Sequence, residues 1–287
     1  MSLGLDQIEY LSTLRNRDFI ASDVQQRLGQ SKILVAGCGS TGGSIIEPLV
    51  RTGARHLVLA ENGTYEVSNI NRQSMGIAHV GRNKASVHAA RVRFIHPGVQ
   101  VTVHDEGIQA HNVEQLVRET DLIVDGVDVT TRDGLQAKYL LHAHAKEHRK
   151  LLVTGYDMAA AQLIVVHDYR QDSEQVMKGR LTPLDIVSLH PLQCCIKLIG
   201  TEQMPLEIFE ELERHARNEK DFISQLAMTA NLFGVLALGV ILKSLADEPL
   251  PETVYLDIWE LLGSRSDEHT LKHYRQHWAN RRDLHVL

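Results

Sequence analysis

Apolar runs alternate with helical spacings along the first half of the chain. Lys32–Gly39 is an apolar run that leads into glycines, and Ser40–Gly53 places apolar residues at helical spacing before a glycine that ends the helix. His56–Glu61 is a second apolar run. A strand, a helix and a strand therefore fall within about thirty residues, the size of a βαβ unit.

The same alternation continues beyond this unit. Helices are predicted over residues 83–98, 112–120 and 133–148, and strands over residues 99–107, 121–128 and 150–157. Elements in this order predict an α/β fold: a Rossmann-like, doubly wound, mostly parallel sheet with helices on both faces. Ligands of such sheets bind beyond the carboxyl ends of the strands, so the residues that follow each strand are the first candidates for a site.

The pattern changes after about Asp168. An irregular loop is predicted over residues 171–191, an amphipathic helix over 205–222 and a late strand over 253–261. We find no internal repeat and no linker. The sequence therefore predicts one domain over residues 1–287, with a nucleotide-binding core at 31–165 and a C-terminal elaboration at 166–287. This elaboration would supply a substrate-facing loop and a late core helix.

One uncharged segment, Phe222–Leu242, is long enough to cross a bilayer. Ser224 and Gln225 interrupt its first half, so we predict a buried core helix and no membrane association. The net charge of -6 argues against a nonspecific nucleic-acid binder. Three cysteines and no secretory signal favour the reducing cytoplasm.

Three glycines follow the first predicted strand in a G-x-G-x-x-G pattern: Gly37, Gly39 and Gly42. Glycines allow the backbone to approach a phosphate, and the following helix N-terminus offers free N–H groups. Glu61 ends the second strand, where an acid can bind the ribose hydroxyls. These residues predict a nucleotide site, but they do not distinguish NAD from ATP.

An amide-rich stretch, "SNINRQ" (Ser68–Gln73), follows this second strand. Arg72 can pair with phosphate oxygens in a forked geometry, while the side-chain amides orient them. An NAD dehydrogenase has no general need for such a cluster at this place, whereas an enzyme that handles a triphosphate does. The cofactor-binding candidates of the stretch are therefore Asn69, Asn71, Arg72 and Gln73.

Two more charged residues come later in the chain order. Lys84 in "GRNKA" can add a point charge to the phosphates. Asp128, at the end of "DGVD", is placed to hold Mg²⁺ together with an ATP phosphate. Asp125 is the weaker candidate, because its side chain lies three positions earlier in the strand.

These residues in this order resemble the ThiF/MoeB/HesA family, the bacterial relatives of the adenylating domain of ubiquitin-activating enzymes. The S-N-x-N-R-Q stretch carries most of this resemblance. The resemblance implies ATP-dependent adenylation of a carboxylate with Mg²⁺ and release of pyrophosphate. The implied substrate is the C-terminus of a ubiquitin-like carrier protein, a peptide or a small-molecule acid. Arg72, Lys84 and Asp128 would be the catalytic residues.

The family also uses an arginine of the partner subunit, which implies a homodimer. "LRNRDFI" is similar to that motif, and Arg17 is its best match. The chain departs from the family in having Glu61 for an aspartate and Gly63 for a second acid. It contains no C-x-x-C pair, so we expect no structural zinc. Either of the adjacent cysteines, Cys194 or Cys195, could replace the family's thioester cysteine, but buried small hydrophobic residues are the favoured interpretation.

Two other functions remain open at this point. An NAD-dependent oxidoreductase would use the glycine motif and Glu61, but it leaves Arg72, Lys84 and Asp128 without roles. A noncatalytic subunit of a heterodimeric activating enzyme would explain Gly63 and the missing cysteine motifs. Histidines at 269, 273 and 277, and those of "LHAHAKEH", are read as solvated or dimer-facing helix positions rather than metal ligands.

Overall fold

A seven-stranded mixed sheet is the centre of the molecule, which the computed structural model describes over residues 4–263. The strand order is β3-β2-β1-β4-β5-β6-β7. The strands are β1 (Lys32–Ala36), β2 (His56–Ala60), β3 (Gln100–His104), β4 (Leu122–Asp125), β5 (Leu151–Met158), β6 (Ala161–Asp168) and β7 (Thr253–Asp257). Strands β1 to β5 pair in parallel, and β6 and β7 add to this sheet in antiparallel pairs.

Helices cover both faces of the sheet. They are α1 (Leu5–Ser12), α2 (Ser22–Gln30), α3 (Ser40–Thr52), α4 (Lys84–Ile95), α5 (Val113–Arg118), α6 (Arg132–Glu147), α7 (Pro183–Ser188), α8 (Pro191–Ile199), α9 (Leu206–Ala216), α10 (Ala227–Leu245) and α11 (Ile258–Leu261). The core on one face joins the strands to α3, α4 and α10, and the core on the other joins them to α5 and α6. A third apolar cluster joins β5 and β6 to α8 and α9.

The parallel register brings the carboxyl ends of the central strands to one edge. Ala36 of β1 pairs with Ala60 of β2 and with Asp125 of β4, and Asp125 pairs with Thr154 of β5. The loops that follow these strands therefore share one edge of the sheet, as expected for a doubly wound fold.

The uncharged helix α10 packs on the sheet and along α3. Pro48 in α3 lacks the N–H that would bond to the carbonyl of Ser44. Gly234 of α10 approaches this carbonyl closely, since a Cβ built on it would lie 2.5 Å from the Ser44 oxygen. Phe233 and Ala237 are fully buried beside it. Among the described residues, α10 is the one helix whose length and composition would also allow it to cross a membrane.

The N-terminal segment folds back on its own chain. The Asn16 and Gln25 side-chain amides donate to the Thr52 carbonyl at 2.9 and 2.7 Å, and Arg55 pairs with Glu9. Thr52 is the last residue of α3, so the segment is anchored at the end of α3 that is remote from the carboxyl edge of the sheet.

The predicted Rossmann-like α/β class is confirmed, and the helices and strands predicted between residues 32 and 157 are present, whereas α1 and α2, which precede them, were not predicted. Three differences follow later in the chain. Strand β6 was not predicted, because its apolar run has no polar alternation. The predicted loop over 171–191 contains the short helix α7, and the predicted late strand ends at Asp257, where α11 begins. The histidines at 269, 273 and 277 lie outside the described residues.

Candidate active site

Close backbone packing shapes the loop between β1 and α3. Gly37 has a φ of +79°, and a Cβ built on it would lie 2.3 Å from the Gly126 oxygen. A Cβ on Gly42 would lie 2.0 Å from the Gly37 oxygen, and one on Gly126 2.5 Å from the Gly42 nitrogen. No side chain fits at these three positions, so the loop is fixed against the end of β4. The sequence pattern identified two of these glycines and missed Gly126.

Glu61, which follows β2, is hydrogen-bonded to this loop. Its two carboxylate oxygens accept hydrogen bonds from the backbone N–H groups of Cys38, at 2.8 Å, and Gly63, at 2.6 Å. A Cβ built on Gly63 would lie 2.9 Å from the Glu61 Oε1 atom. The Glu61 side chain therefore occupies the space that a side chain at position 63 would need, which explains why Glu61 and Gly63 occur together. Each carboxylate oxygen has a further lone pair that can accept a ribose hydroxyl.

Arg72 lies half-buried beside two carboxylates. Its Nη1 donates to the Ser68 carbonyl at 3.1 Å and to Asn71 Oδ1 at 2.9 Å. Its Nε is buried and has no hydrogen-bond partner among residues 4–263. Burial lowers the pKa of Arg72, and the negative charges of Asp157 and Asp128 oppose this shift. The guanidinium is thus fixed by its own turn, while its buried Nε–H donor remains unused.

The amides of "SNINRQ" have different environments. Asn69 Oδ1 accepts from the Glu66 N–H at 3.0 Å, and Asn71 Nδ2 donates to the Gln225 carbonyl at 2.9 Å. Asn69 therefore closes its own turn, and Asn71 joins the turn to the segment before α10. Gln73 does face it, because a Cβ on Gly39 would lie 3.7 Å from the Gln73 Nε2 atom. The Gln73 Oε1 atom is buried without a partner in the described part of the chain.

Lys84 is the first residue of α4, and its ammonium lies over the glycine loop. A Cβ on Gly39 would lie 3.9 Å from the Lys84 Nζ atom, and one on Gly63 3.5 Å from it. The side chain is half-buried rather than solvated. Asn83 fixes the start of α4, since its Oδ1 accepts from the Ser86 N–H at 3.0 Å. Lys84 therefore adds a positive charge directly at the loop.

The two acids at the end of β4 differ in accessibility. Asp128 is exposed, its Oδ1 accepts from the Thr130 N–H at 2.8 Å, and its charge acts on Arg72. Asp125 is fully buried, where its Oδ2 lies 2.6 Å from Lys138 Nζ and 2.9 Å from His142 Nε2. Burial would raise the pKa of Asp125, but these two partners hold it well below its usual range. Asp128 is accordingly the acid that a metal ion can reach.

His142 belongs to this buried network, so the reading of "LHAHAKEH" as a solvated or dimer-facing segment is wrong at this position. Its Nδ1 lies 2.7 Å from the Tyr169 hydroxyl. Later in α6 and at its end, His144, Glu147 and His148 form a group whose possible ligand atoms lie within 4.8 Å of one another.

Asp157, near the end of β5, is a site residue that the sequence reasoning missed. Its Oδ2 accepts from the Ser40 hydroxyl at 2.9 Å and from the Thr41 hydroxyl at 3.4 Å, at the N-terminus of α3. Its Oδ1 is buried and has no hydrogen-bond partner within residues 4–263. Burial raises the pKa of Asp157 to about 6, although the two hydroxyls and Arg72 lower it. The available signal was its position at the carboxyl end of a predicted strand.

The remaining candidates lie elsewhere. Arg17 is exposed, with its guanidinium 3.9 Å from the centre of the Tyr10 ring and its Nη1 donating to the Tyr10 hydroxyl. Cys194 and Cys195 lie buried in α8, and burial raises the pKa of both thiols, that of Cys195 to about 12. The structure thus brings Gln73, Lys84 and Glu61 to the glycine loop, brings Asp128 into the electrostatic range of Arg72, and places Arg17 at the far end of α3.

Comparisons with known proteins identify relatives of this chain. A probable molybdopterin-synthase adenylyltransferase of Gracilaria tenuistipitata is 27% identical over 170 residues, which are 58% of this chain and 46% of the relative. The SAMP-activating enzyme E1 of Haloferax volcanii is 32% identical over 148 residues, 50% of this chain and 52% of the relative. The chain thus spans about half the length of these curated relatives.

Solved structures share the fold. The crystal structure of PaaA superposes with a TM-score of 0.64 at 18% identity, over 89% of this chain and 81% of that one. The E. coli tRNA N6-threonylcarbamoyladenosine dehydratase in complex with AMP gives 0.61 at 21% identity, over 86% of this chain and 98% of that one. The profile of the ThiF family matches residues 11–277. The chain therefore belongs to the ThiF family.

Proposed function

We propose that this protein uses ATP to adenylate a carboxylate and releases pyrophosphate. Two observations carry the proposal: the Lys84 ammonium lies over the glycine loop, and the charges of Asp128 and Asp157 act on Arg72. A nicotinamide dinucleotide does not require Lys84, Arg72 or Asp128. Two cations and an accessible acid match the charge of a triphosphate with its metal ion.

Each element of the site has a role in this reaction. The N-terminus of α3 and the glycine loop would receive the phosphates, and Glu61 the ribose hydroxyls. Lys84 and Arg72 would hold phosphate oxygens and stabilise the charge that develops at the α-phosphate. Asp128 would hold Mg²⁺, which neutralises charge on the leaving pyrophosphate when it is bound. The carboxylate itself is the nucleophile, so the reaction needs no cysteine.

The comparisons support this proposal. The relative in Gracilaria tenuistipitata is named an adenylyltransferase, and the E. coli dehydratase was crystallised with AMP. The buried thiols of α8 argue against a thioester at Cys194 or Cys195, because a raised thiol pKa leaves little thiolate.

The test is nucleotide binding followed by pyrophosphate exchange. ATP with Mg²⁺ should bind in calorimetry and NAD should not, and NAD binding without ATP binding would refute the proposal. Exchange is then measured with pooled amino acids and with a peptide ending in Gly-Gly. Arg72→Ala and Asp128→Ala should each lose on the order of 3 kcal/mol of transition-state stabilisation, a hundredfold in rate.

Arg51→Ala is the matched control for Arg72→Ala. Arg51 is exposed on α3 and pairs with Glu47 at 3.2 Å, so its loss should leave exchange unchanged. Circular dichroism must show that all variants are folded. Exchange at the wild-type rate in Arg72→Ala or Asp128→Ala would remove that residue from the catalytic set. ATP binding without exchange for any acid would favour a noncatalytic subunit.

We further propose a homodimer in which Arg17 serves the site of the partner. Asn16, its neighbour, is held at the far end of α3, which has 13 residues. At 1.5 Å per residue the glycine loop of the same chain is about 20 Å away along that helix. Arg17 therefore needs a second copy to reach a nucleotide.

Subunit mixing tests this arrangement. Arg17→Ala and Asp128→Ala should each be nearly inactive alone. After subunit exchange the mixture should recover up to about a quarter of wild-type activity, because half the dimers are mixed and each rebuilds one of two sites. No recovery, despite demonstrated exchange, would show that Arg17 does not act across an interface.

A further inference from the structure

Two unsatisfied atoms of opposite charge lie at the site described above. Arg72 Nε is a donor and Asp157 Oδ1 an acceptor, and both are buried without a hydrogen-bond partner among the described residues. The two residues are close enough for the charge of Asp157 to act on Arg72. They nevertheless form no hydrogen bond or ion pair with each other in residues 4–263. Buried polar atoms are normally satisfied, so this pair indicates a bound group between or beside them.

The other oxygen of Asp157 is already used. The hydroxyls of Ser40 and Thr41 donate to Oδ2 and thereby fix the carboxylate at the N-terminus of α3. Oδ1 is then the oxygen left to receive a donor from a ligand. A hydroxyl pair of this kind orients the carboxylate without neutralising it, and the pKa of about 6 leaves Asp157 mostly ionised at pH 7.

The negative charge of Asp157 at this place limits which acids can be the substrate. The acid to be adenylated must bring its own carboxylate to the α-phosphate, beside Arg72. A plain carboxylate would there face the negative charge of Asp157 in a half-buried site, where like charges repel strongly. A positive nitrogen on the same substrate would remove this repulsion and satisfy Oδ1.

We propose that Asp157 binds an ammonium group that lies next to the activated carboxylate, so that the substrate is an amino-acid-like zwitterion. Arg72 holds the α-phosphate that the carboxylate attacks, and Asp157 binds the ammonium beside it. This inference rests on the proposed adenylation and names its substrate class. It distinguishes such an acid from the terminal glycine of a carrier protein, whose nitrogen is an uncharged amide.

Stable mimics of the acyl-adenylate provide the test. Glycylsulfamoyl adenosine carries the ammonium, acetylsulfamoyl adenosine lacks it, and N-acetylglycylsulfamoyl adenosine replaces it with an amide as a carrier terminus would. We expect the wild-type protein to bind the glycyl compound at least about tenfold more tightly than either of the others, as expected for a buried charge-assisted hydrogen bond. Calorimetry at pH 7 measures the three dissociation constants.

Asp157→Asn tests whether this residue is responsible. The variant keeps the shape of the side chain and can keep the Ser40 bond. It should bind the glycyl compound and the two other acyl compounds about equally well, while its affinity for adenosine 5′-sulfamate stays unchanged. The wild-type preference should fall between pH 7 and pH 5, as Asp157 is protonated, and the preference of the variant should stay constant. This pH profile separates a charge contact from a merely structural role.

Other outcomes would overturn the inference. Equal binding of the three acyl compounds, or tightest binding of the N-acetylglycyl compound, refutes the zwitterion and leaves the proposed adenylation standing. An equal loss for every nucleotide in Asp157→Asn would make Asp157 a general part of the ATP site. If neither ATP nor any of the sulfamates binds to the wild-type protein, the proposed function fails together with this inference.

Discussion

Lys138→Met is the most informative change for the stability of the fold. Lys138 is 1% exposed, and its ammonium lies 2.6 Å from Asp125 and donates to the Thr154 hydroxyl at 2.9 Å. Methionine has a similar length and no charge, so it removes the cation while filling most of its volume. The variant would leave the fully buried Asp125 carboxylate with only His142 and the Val127 N–H as partners.

The expected cost is large. Removing one partner of a buried ion pair typically costs about 3–5 kcal/mol, because the other charge remains buried and uncompensated. The free energy of unfolding of a domain is about 5–15 kcal/mol in total, so this loss would be a substantial fraction of the stability. For a chain of this size the melting temperature should fall by roughly 6–20 °C.

The effect should also depend on pH. The pKa of Asp125 is depressed in the folded protein, so its contribution to stability is present above the ordinary carboxyl pKa and is lost as the pH falls through the depressed value. Lys138→Met removes the largest single cause of that depression. The difference in unfolding free energy between wild type and variant should therefore be largest near pH 7 and should shrink below about pH 4.

Urea unfolding followed by circular dichroism measures these differences. Lys32→Met is the control, because Lys32 is 40% exposed and pairs with Glu119 at 3.5 Å, so its loss should change stability by less than about 1 kcal/mol. Adding Asp125→Asn to Lys138→Met should recover part of the loss. A cost below about 1 kcal/mol for Lys138→Met, or a double variant as unstable as the single one, would refute the reasoning.

Two further predictions concern the glycine loop and the thiols. Gly42→Ala should abolish ATP binding and destabilise the fold by about 1–3 kcal/mol, because its Cβ would lie 2.0 Å from the Gly37 oxygen. Gly239→Ala, whose Cβ meets no described atom within 4 Å, should instead stabilise the protein by about 0.5–1 kcal/mol in thermal unfolding. A Gly42→Ala variant that is more stable than Gly239→Ala would contradict this. Burial raises the pKa of the Cys38, Cys194 and Cys195 thiols. Iodoacetamide at pH 8 should therefore modify no thiol of the native protein but all three thiols of the protein unfolded in guanidinium, as measured by mass spectrometry. Rapid alkylation of Cys194 or Cys195 in the native state would reopen a thioester role.

The regular part of the fold could be predicted from the sequence because its signals are local. The apolar run before Gly37, the helical spacing up to Gly53 and the strand ending near Glu61 each depend on residues that are neighbours in the chain. Strand β6 could not be distinguished in the same way. Its side chains are buried on both faces, so the run has no alternation, and its pairing with β5 and β7 makes it a strand.

The site could be predicted where a residue follows a strand and missed where a contact is distant in sequence. Asp128 and Lys84 were identified from their order along the chain. The bond from Ser40 to Asp157 joins residues 117 positions apart, and neither residue is unusual in its own segment. The close packing of Gly126 on Gly42 is likewise a property of two loops that only the sheet brings together.

Asp125, the last residue of β4, and Asp128, three residues later, have different roles. Asp125 is the last residue of β4 and points into the layer between the sheet and α6, where Lys138 and His142 neutralise it. Gly126 follows at once and fixes the backbone against the glycine loop, so that Asp128 emerges at the carboxyl edge beside Arg72. The buried pair therefore stabilises the end of β4, the position from which Asp128 would hold a metal ion in the proposed reaction. Loss of Lys138 should consequently weaken ATP binding even where the protein remains folded, although Lys138 itself lies in the core and not at the nucleotide.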